Sequence, residues 1–373
     1  MKQTFLLAGV LGAGVGVAHW AAQDPPAAVR PEARAETAPV PNRGDAADDP
    51  EVWVHPGERQ LSLILGTDKR GGLLAYNMDG TLHQEVPGEF RPNNVDVLYG
   101  FSLEGRTVDL AVASAQASRR RGVKVWAITP DRRLTDVTEG GSIPVLDGGT
   151  PFGACAYRSP RTGRAYVFVT GGKGEVEQYE LLAGSGGTVG GRKVRELRLR
   201  SLAEGCAADH DLGFLYLAEE TRGVWKFGAE PGAGGEGRLI ARVGEHGLTA
   251  DVEGLTLYYA GNGRGYLIAS SQGNNTFKVY ERGGENRYLL TIDPREGRID
   301  DVNDTDGIAV TSCPTSREFA RGLFIVQDGG NPGGNQNFKL YGWEDIAGTR
   351  LLVDTACRIN RAGASPRPRR RRS

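Results

Sequence analysis

Residues 63–76 read LILGTDKRGGLLAY: an apolar run at Leu63–Leu65, a polar loop through Asp68, Lys69 and Arg70, and a second apolar run ending in Tyr76. The period is two, with no helical stripe, which predicts two short strands joined by a tight turn. The unit recurs five more times. LAVASAQASRRRGVKVW ends at Trp126, YVFVTGGKGEVEQY at Tyr179, LYLAEETRGVWKF at Phe227, YLIASSQGNNTFKVY at Tyr280 and LFIVQDGGNPGGNQNFKLY at Tyr341. The aromatic ends lie 50, 53, 48, 53 and 61 residues apart. Units of about 50 residues built from several short strands have the size of propeller blades. Even spacing over six copies favours an all-β, six-bladed β-propeller over a sandwich or a string of small β domains.

Composition agrees. Glycine supplies 55 of 373 residues without a Gly-X-Y period, which fits many turns between short strands. The formal net charge of −1 hides an uneven distribution: residues 23–360 carry −8, while 361–373 hold six arginines and no acid. An acidic body counts against a nucleic-acid partner. Lys2 followed by the apolar stretch Phe5–Ala18 predicts a secretory leader over 1–22, too short for a comfortable membrane span. The expected division is then an Ala/Pro/Glu-rich arm over 23–44, the propeller over 45–357 and a basic Pro/Arg tail over 358–373. The mature chain is expected to be monomeric, without membrane insertion, and secreted or periplasmic.

Each unit is preceded by another strand whose mouth carries acidic or small residues. These openings are Asp48-Asp49-Pro50, Asn93-Asn94-Val95-Asp96, Phe152-Gly153, Glu204-Gly205, Glu253-Gly254 and Asp306-Gly307. In a propeller the equivalent strand ends gather round one end of the axial channel. Crowded carboxylates repel unless protonated or bridged by cations. Oxygen ligands without His or Cys select a hard cation, and calcium suits flexible many-oxygen sites. The loops within the units add Lys69, Arg70, Arg119, Arg120, Arg121 and Lys173, charges that suit a polyanionic small molecule. No nucleophile elbow is present, and the five histidines form no metal-spaced pair. The four cysteines have no C-x-x-C spacing, so disulfides are expected, with three connectivities open. Adjacent inner strands of a propeller favour Cys155–Cys206.

From Glu36 to Ile346 the sequence resembles the β-propeller phytases, a family of secreted, calcium-dependent enzymes of the 3-phytase type. The motifs that carry the resemblance are DAADDPEVWV (45–54), NNVDV (93–97), EVEQYEL (175–181), EGCAAD (204–209) and LYLAEE (215–220). DVEGLTLYY (251–259), SSQGN (270–274), DTDGI (304–308) and NQNFK (335–339) complete the set. The resemblance implies several calcium ions at the channel mouth, held by Glu36, Asp48, Asp49, Glu204, Glu220, Asp251, Glu253, Gln272, Asp300 and Asp306, with the carbonyls of Pro50 and Val95. It implies phytate (myo-inositol hexakisphosphate) as substrate and direct attack by a calcium-bound water that an acidic residue activates. Glu204, Lys69, Arg70 and Lys173 are the expected catalytic residues; Lys69, Arg70, Arg119, Lys173 and Glu220 are expected to bind phosphate. Three positions depart from the family pattern: Gln116 stands for arginine, Phe152 for tyrosine, and Lys173 falls one residue after the family's lysine. Two other readings of the same mouth are an exported propeller that binds calcium and polyanions with little or no catalysis, and a metal-dependent lactonase or esterase. The second of these leaves Lys69 and Arg70 without a reason.

Overall fold

The computed structural model describes residues 28–88 and 90–359. The expected leader and all but the first two residues of the expected basic tail lie outside the described residues. Six four-stranded antiparallel sheets form a ring, the six-bladed propeller read from the repeat. Blade one is Ala47–Trp53, Leu63–Asp68, Gly72–Tyr76 and Leu82–Pro87. Blade two is Pro92–Leu103, Arg106–Ala115, Gly122–Ile128 and Leu134–Asp136. Blade three is Pro151–Arg158, Ala165–Gly171, Glu175–Ala183 and Val189–Arg198. Blade four is Ala203–Ala208, Phe214–Glu219, Gly223–Gly228 and Arg238–Arg242; blade five is Val252–Tyr259, Gly265–Ser271, Thr276–Glu281 and Tyr288–Ile292.

Blade six is composite. Ile308–Thr311, Leu323–Asp328 and Asn337–Gly342 supply three strands, and Ala35–Glu36, from the segment expected as an arm, supplies the outermost. Ala35 pairs with Leu340 and Glu36 with Lys339, so the N-terminal end of the described chain closes the ring. Closure leaves fewer exposed strand edges.

The repeated unit proves to be the second and third strands of each blade. Their β-branched and aromatic residues face the neighbouring blades, and six apolar clusters result, one at each blade interface. The terminal aromatics Tyr76, Trp126, Tyr179, Phe227, Tyr280 and Tyr341 are all buried. Cys155 pairs with Cys206, as expected, between the inner strands of blades three and four. Cys313 pairs with Cys357, tying the last described segment to blade six. A cavity of about 350 Å³ runs down the axis, from Asp49 and Pro50 to Arg358 and Ile359. Among the described residues no helix is long and apolar enough to cross a membrane.

Candidate active site

The inner strands do not run regularly to the mouth. In five blades the ladder between first and second strands shifts register there: between Ala47 and Pro50, Pro92 and Val95, Pro151 and Ala154, Ala203 and Cys206, and Val252 and Leu255. Each irregularity contains one of the openings noted in the sequence. Bulges of this kind unpair a residue and re-aim its side chain. The freed backbone groups find side-chain partners, as buried amides must. Asp49 N donates to Thr67 Oγ1 (2.9 Å), Asn94 N to Ser114 Oγ (3.0 Å) and Gly153 N to Thr170 Oγ1 (2.8 Å). Blade six uses Gln327, whose Oε1 accepts from Asp306 N at 2.8 Å. Thr67 then donates to Asn93 O (2.7 Å), Thr170 to Glu204 O (3.3 Å) and Gln327 Nε2 to Ala47 O (3.3 Å), each on the next blade round the ring.

Close approach sets the glycines. A Cβ on Gly153 would lie 1.8 Å from Glu204 O, and one on Gly205 would lie 2.1 Å from Glu253 O. In each case the glycine of one blade leaves room for the acidic residue of the next.

The bulges bring a set of carboxyl groups to the axis. Glu204, Glu220 and Glu253 each place a carboxylate oxygen within 4.8 Å of the other two. Glu253 is buried, and its Oε2 has no hydrogen-bond partner among the described residues. Asn93 Nδ2 donates to Glu204 Oε1 (2.7 Å) and to Asp48 Oδ2 (2.8 Å). Gln272 Nε2 donates to Asp306 Oδ1 at 2.6 Å. The Lys69 amine lies 2.6 Å from Asp45 Oδ1, 2.9 Å from Asp48 Oδ1 and 3.5 Å from Asp306 Oδ2.

Acids outnumber this one ammonium, and the electrostatics follow. Burial, and then repulsion from Asp48 and Asp306, hold the Glu204 carboxyl well above the usual range. Burial and then Glu204, Asp306 and Glu220 do the same to Glu253. Burial and then Asp48 raise Asp306. Burial, with Asp251 second, pushes Glu220 up to about 7. Burial pulls the Lys69 amine down, but Asp48, Asp306 and Asp45 outweigh it and hold the amine above its ordinary value. A site this poor in compensating positive charge is adapted to take up protons or cations.

Other expected residues fall in three places. Asp49, Pro50 and Val95 line the upper axial cavity, where Asp49 Oδ2 accepts from Val95 N at 3.0 Å. Glu36 and Asp300 meet at Lys339 of blade six and are not part of the three-glutamate cluster. There the buried Lys339 amine lies 2.6 Å from Glu36 Oε2, 2.5 Å from Asp300 Oδ1 and 3.4 Å from Asp328 Oδ2. Arg70, Arg119 and Lys173 are exposed on the inter-strand loops at the mouth end. Phe152, at its bulge, is half-buried.

A family profile described as phytase matches residues 5–367. The chain belongs to the phytase family. A 3-phytase of Bacillus subtilis (strain 168) is 45% identical over 323 residues, which is 84% of each chain. Among solved structures, a Bacteroides thetaiotaomicron protein of unknown function superposes with a TM-score of 0.50 at 10% identity, covering 84% of this chain and 75% of that one. That likeness speaks to the propeller fold alone. The enzyme is thus a phytase.

Sequence reasoning passed over three groups in this phytase. Asp45 completes the acid set round Lys69, and Asn93 bridges two blades. The third is the hydroxyl of Thr67, Ser114 and Thr170. Its signal lies in plain view: in LILGT, LAVAS and YVFVT it is the fifth residue of the repeat.

Proposed function

We propose that this phytase hydrolyses phytate to lower inositol phosphates and orthophosphate in a calcium-dependent reaction, with water attacking phosphorus directly. The reading rests above all on Glu253 Oε2, a buried carboxyl oxygen that lies beside Glu204 and Glu220 and has no hydrogen-bond donor among the described residues. An oxygen-only donor set around such an atom fits a hard divalent cation. Glu204, Glu220, Asp251 and Glu253 would hold calcium on one side of the mouth, and Asp48, Asp306 and Gln272 on the other. Asp49 with the carbonyls of Pro50 and Val95 would hold it in the upper channel, and Glu36 with Asp300 on blade six. Bound calcium neutralises phosphoryl charge and makes water a better nucleophile.

The side chains have separate tasks. Glu204, beside Glu220 and Glu253 and bonded to Asn93, would in its ionised form take the proton of the attacking water. Lys69 offsets Asp48 and Asp306, and can turn to a phosphate oxygen when cations replace it as their partner. Arg70, Arg119 and Lys173 present positive charge from exposed loops to the remaining phosphates. Two paired disulfides favour an oxidising compartment, secreted or periplasmic.

The test is orthophosphate release from calcium phytate by the purified chain, with and without chelator, beside Glu204→Gln. Turnover should vanish with chelator and fall by about 100-fold or more in the variant, the scale of a lost acid–base group. Turnover that survives both would overturn the reading.

A further inference from the structure

Asp48 and Glu204 stand on blades one and four, which share no strand pairing, so no backbone ladder fixes the distance between their carboxyl groups. A single carboxamide joins them. Asn93, on blade two, is 3% exposed, and its Nδ2 donates to Asp48 Oδ2 at 2.8 Å and to Glu204 Oε1 at 2.7 Å. The amide nitrogen faces both carboxyl groups and the amide oxygen faces away, the arrangement that two ionised carboxylates, which only accept, require. That oxygen accepts from Gln116 Nε2 at 2.8 Å. Gln116 is itself held at its base, where its backbone N donates to Arg91 O at 3.0 Å.

A carboxamide has two nearly isosteric orientations. In the other one, Asn93 would turn its oxygen toward two carboxylates, which is repulsive, and its nitrogen toward the Gln116 amide nitrogen, which cannot accept. The two acids set the orientation of Asn93, and the Gln116 donor, by satisfying its oxygen, holds it there.

We propose that Gln116 is a positioning residue: acting through Asn93, it sets the separation of Asp48 and Glu204 at the mouth. The inference rests on the calcium reading above and adds to it. Gln116 stands where the family pattern has arginine, and this assigns the glutamine a task that does not require contact with phosphate. Outer hydrogen bonds of this kind, which orient metal-binding carboxylates, typically affect metal affinity or activity by about 10–100-fold when lost.

The experiment measures calcium binding to the full chain by titration calorimetry, with calcium alone as the probe, together with kcat and KM for phytate. Gln116→Ala should weaken calcium binding by about 10-fold and lower kcat by a similar factor. KM should stay within about 2-fold, since a group that does not touch substrate contributes no uniform binding. Gln116→Glu, which cannot donate to Asn93 Oδ1, should behave like the alanine variant. Gln116→Arg keeps a donor and should restore calcium affinity toward wild type. Far-ultraviolet circular dichroism and melting in chelator check that each variant is folded. If Gln116→Ala raises KM with kcat and calcium binding intact, Gln116 is a substrate contact and the relay is wrong. A wild-type chain that binds no calcium overturns the metal reading and the relay with it. Wild-type binding that all three variants leave unchanged overturns the relay alone.

Discussion

Gly205→Ala is a small change with a large expected effect. The added Cβ would sit 2.1 Å from the carbonyl oxygen of Glu253 on the next blade. An ordinary carbon–oxygen contact is roughly 3.3 Å, so one inner strand must give way by about 1 Å. Both partners are backbone, with no flexible side chain to absorb the shift. Glu253 would then leave its place beside Glu204 and Glu220, whose carboxylate oxygens now lie within 4.8 Å of its own. A misplacement of about 1 Å in an active centre costs on the order of 100-fold in rate. The overpacking itself costs about 1–3 kcal/mol of stability. Gly232→Ala is the control, because a Cβ there meets nothing within 4 Å among the described residues. Phytate turnover, calcium affinity and thermal melting are measured for both variants. Gly205→Ala should lose turnover and calcium affinity together, while Gly232→Ala matches wild type. A Gly205→Ala protein that melts earlier yet keeps its calcium affinity and kcat would refute the idea that inter-blade contact places the acid.

Further outcomes follow from charge and covalent linkage. In chelator, the native carboxyls of Glu204, Glu253 and Asp306 are raised, so the native state holds more protons than the unfolded chain between the ordinary carboxylate range and their raised values. Stability of the metal-free protein must then fall as pH rises through that window, which for Glu220 extends to about 7. Melting temperatures in chelator from pH 5 to 8 test this, and Glu253→Gln should flatten the slope; an unchanged slope would remove Glu253 from the coupled set. Saturating calcium should reverse the trend and raise the melting temperature, with a gain of about 2.7 kcal/mol at 100 times the dissociation constant. Replacing Cys155 and Cys206 by alanine removes a link across 51 residues, and should cost about 2–4 kcal/mol in denaturant unfolding.

The propeller was legible because each blade repeats one pattern of apolar alternation ending in an aromatic, and those aromatics are what the blade interfaces bury. The mouth was legible as a set of acids at equivalent positions. Its geometry was not. Period-two reasoning places Asp48 and Asp49 on opposite faces of a strand, but the bulge between Ala47 and Pro50 breaks that alternation. Bulges have no strong signature of their own here; what marks them is the hydroxyl at Thr67, Ser114 and Thr170, a pattern that also reads as ordinary strand composition. Gln116 and Asn93 were visible as a departure from the family pattern and as part of a mouth opening, but their task was not, since the acids that Asn93 joins lie on other blades. Glu36 carried a different lesson. It reads as part of a polar arm, yet it is a strand residue of blade six, because its hydrogen-bonding partner lies some 300 positions later.

That pairing of Ala35–Glu36 with Asn337–Gly342 also sets an order of events. The first of the described strands to emerge during synthesis has no place to dock until the last blade exists, so the torus cannot shut on a partial chain. Until then blade six lacks its outer edge and blade one its neighbour, and both stay open to misassociation. Closure is thereby postponed to the moment the whole length is available.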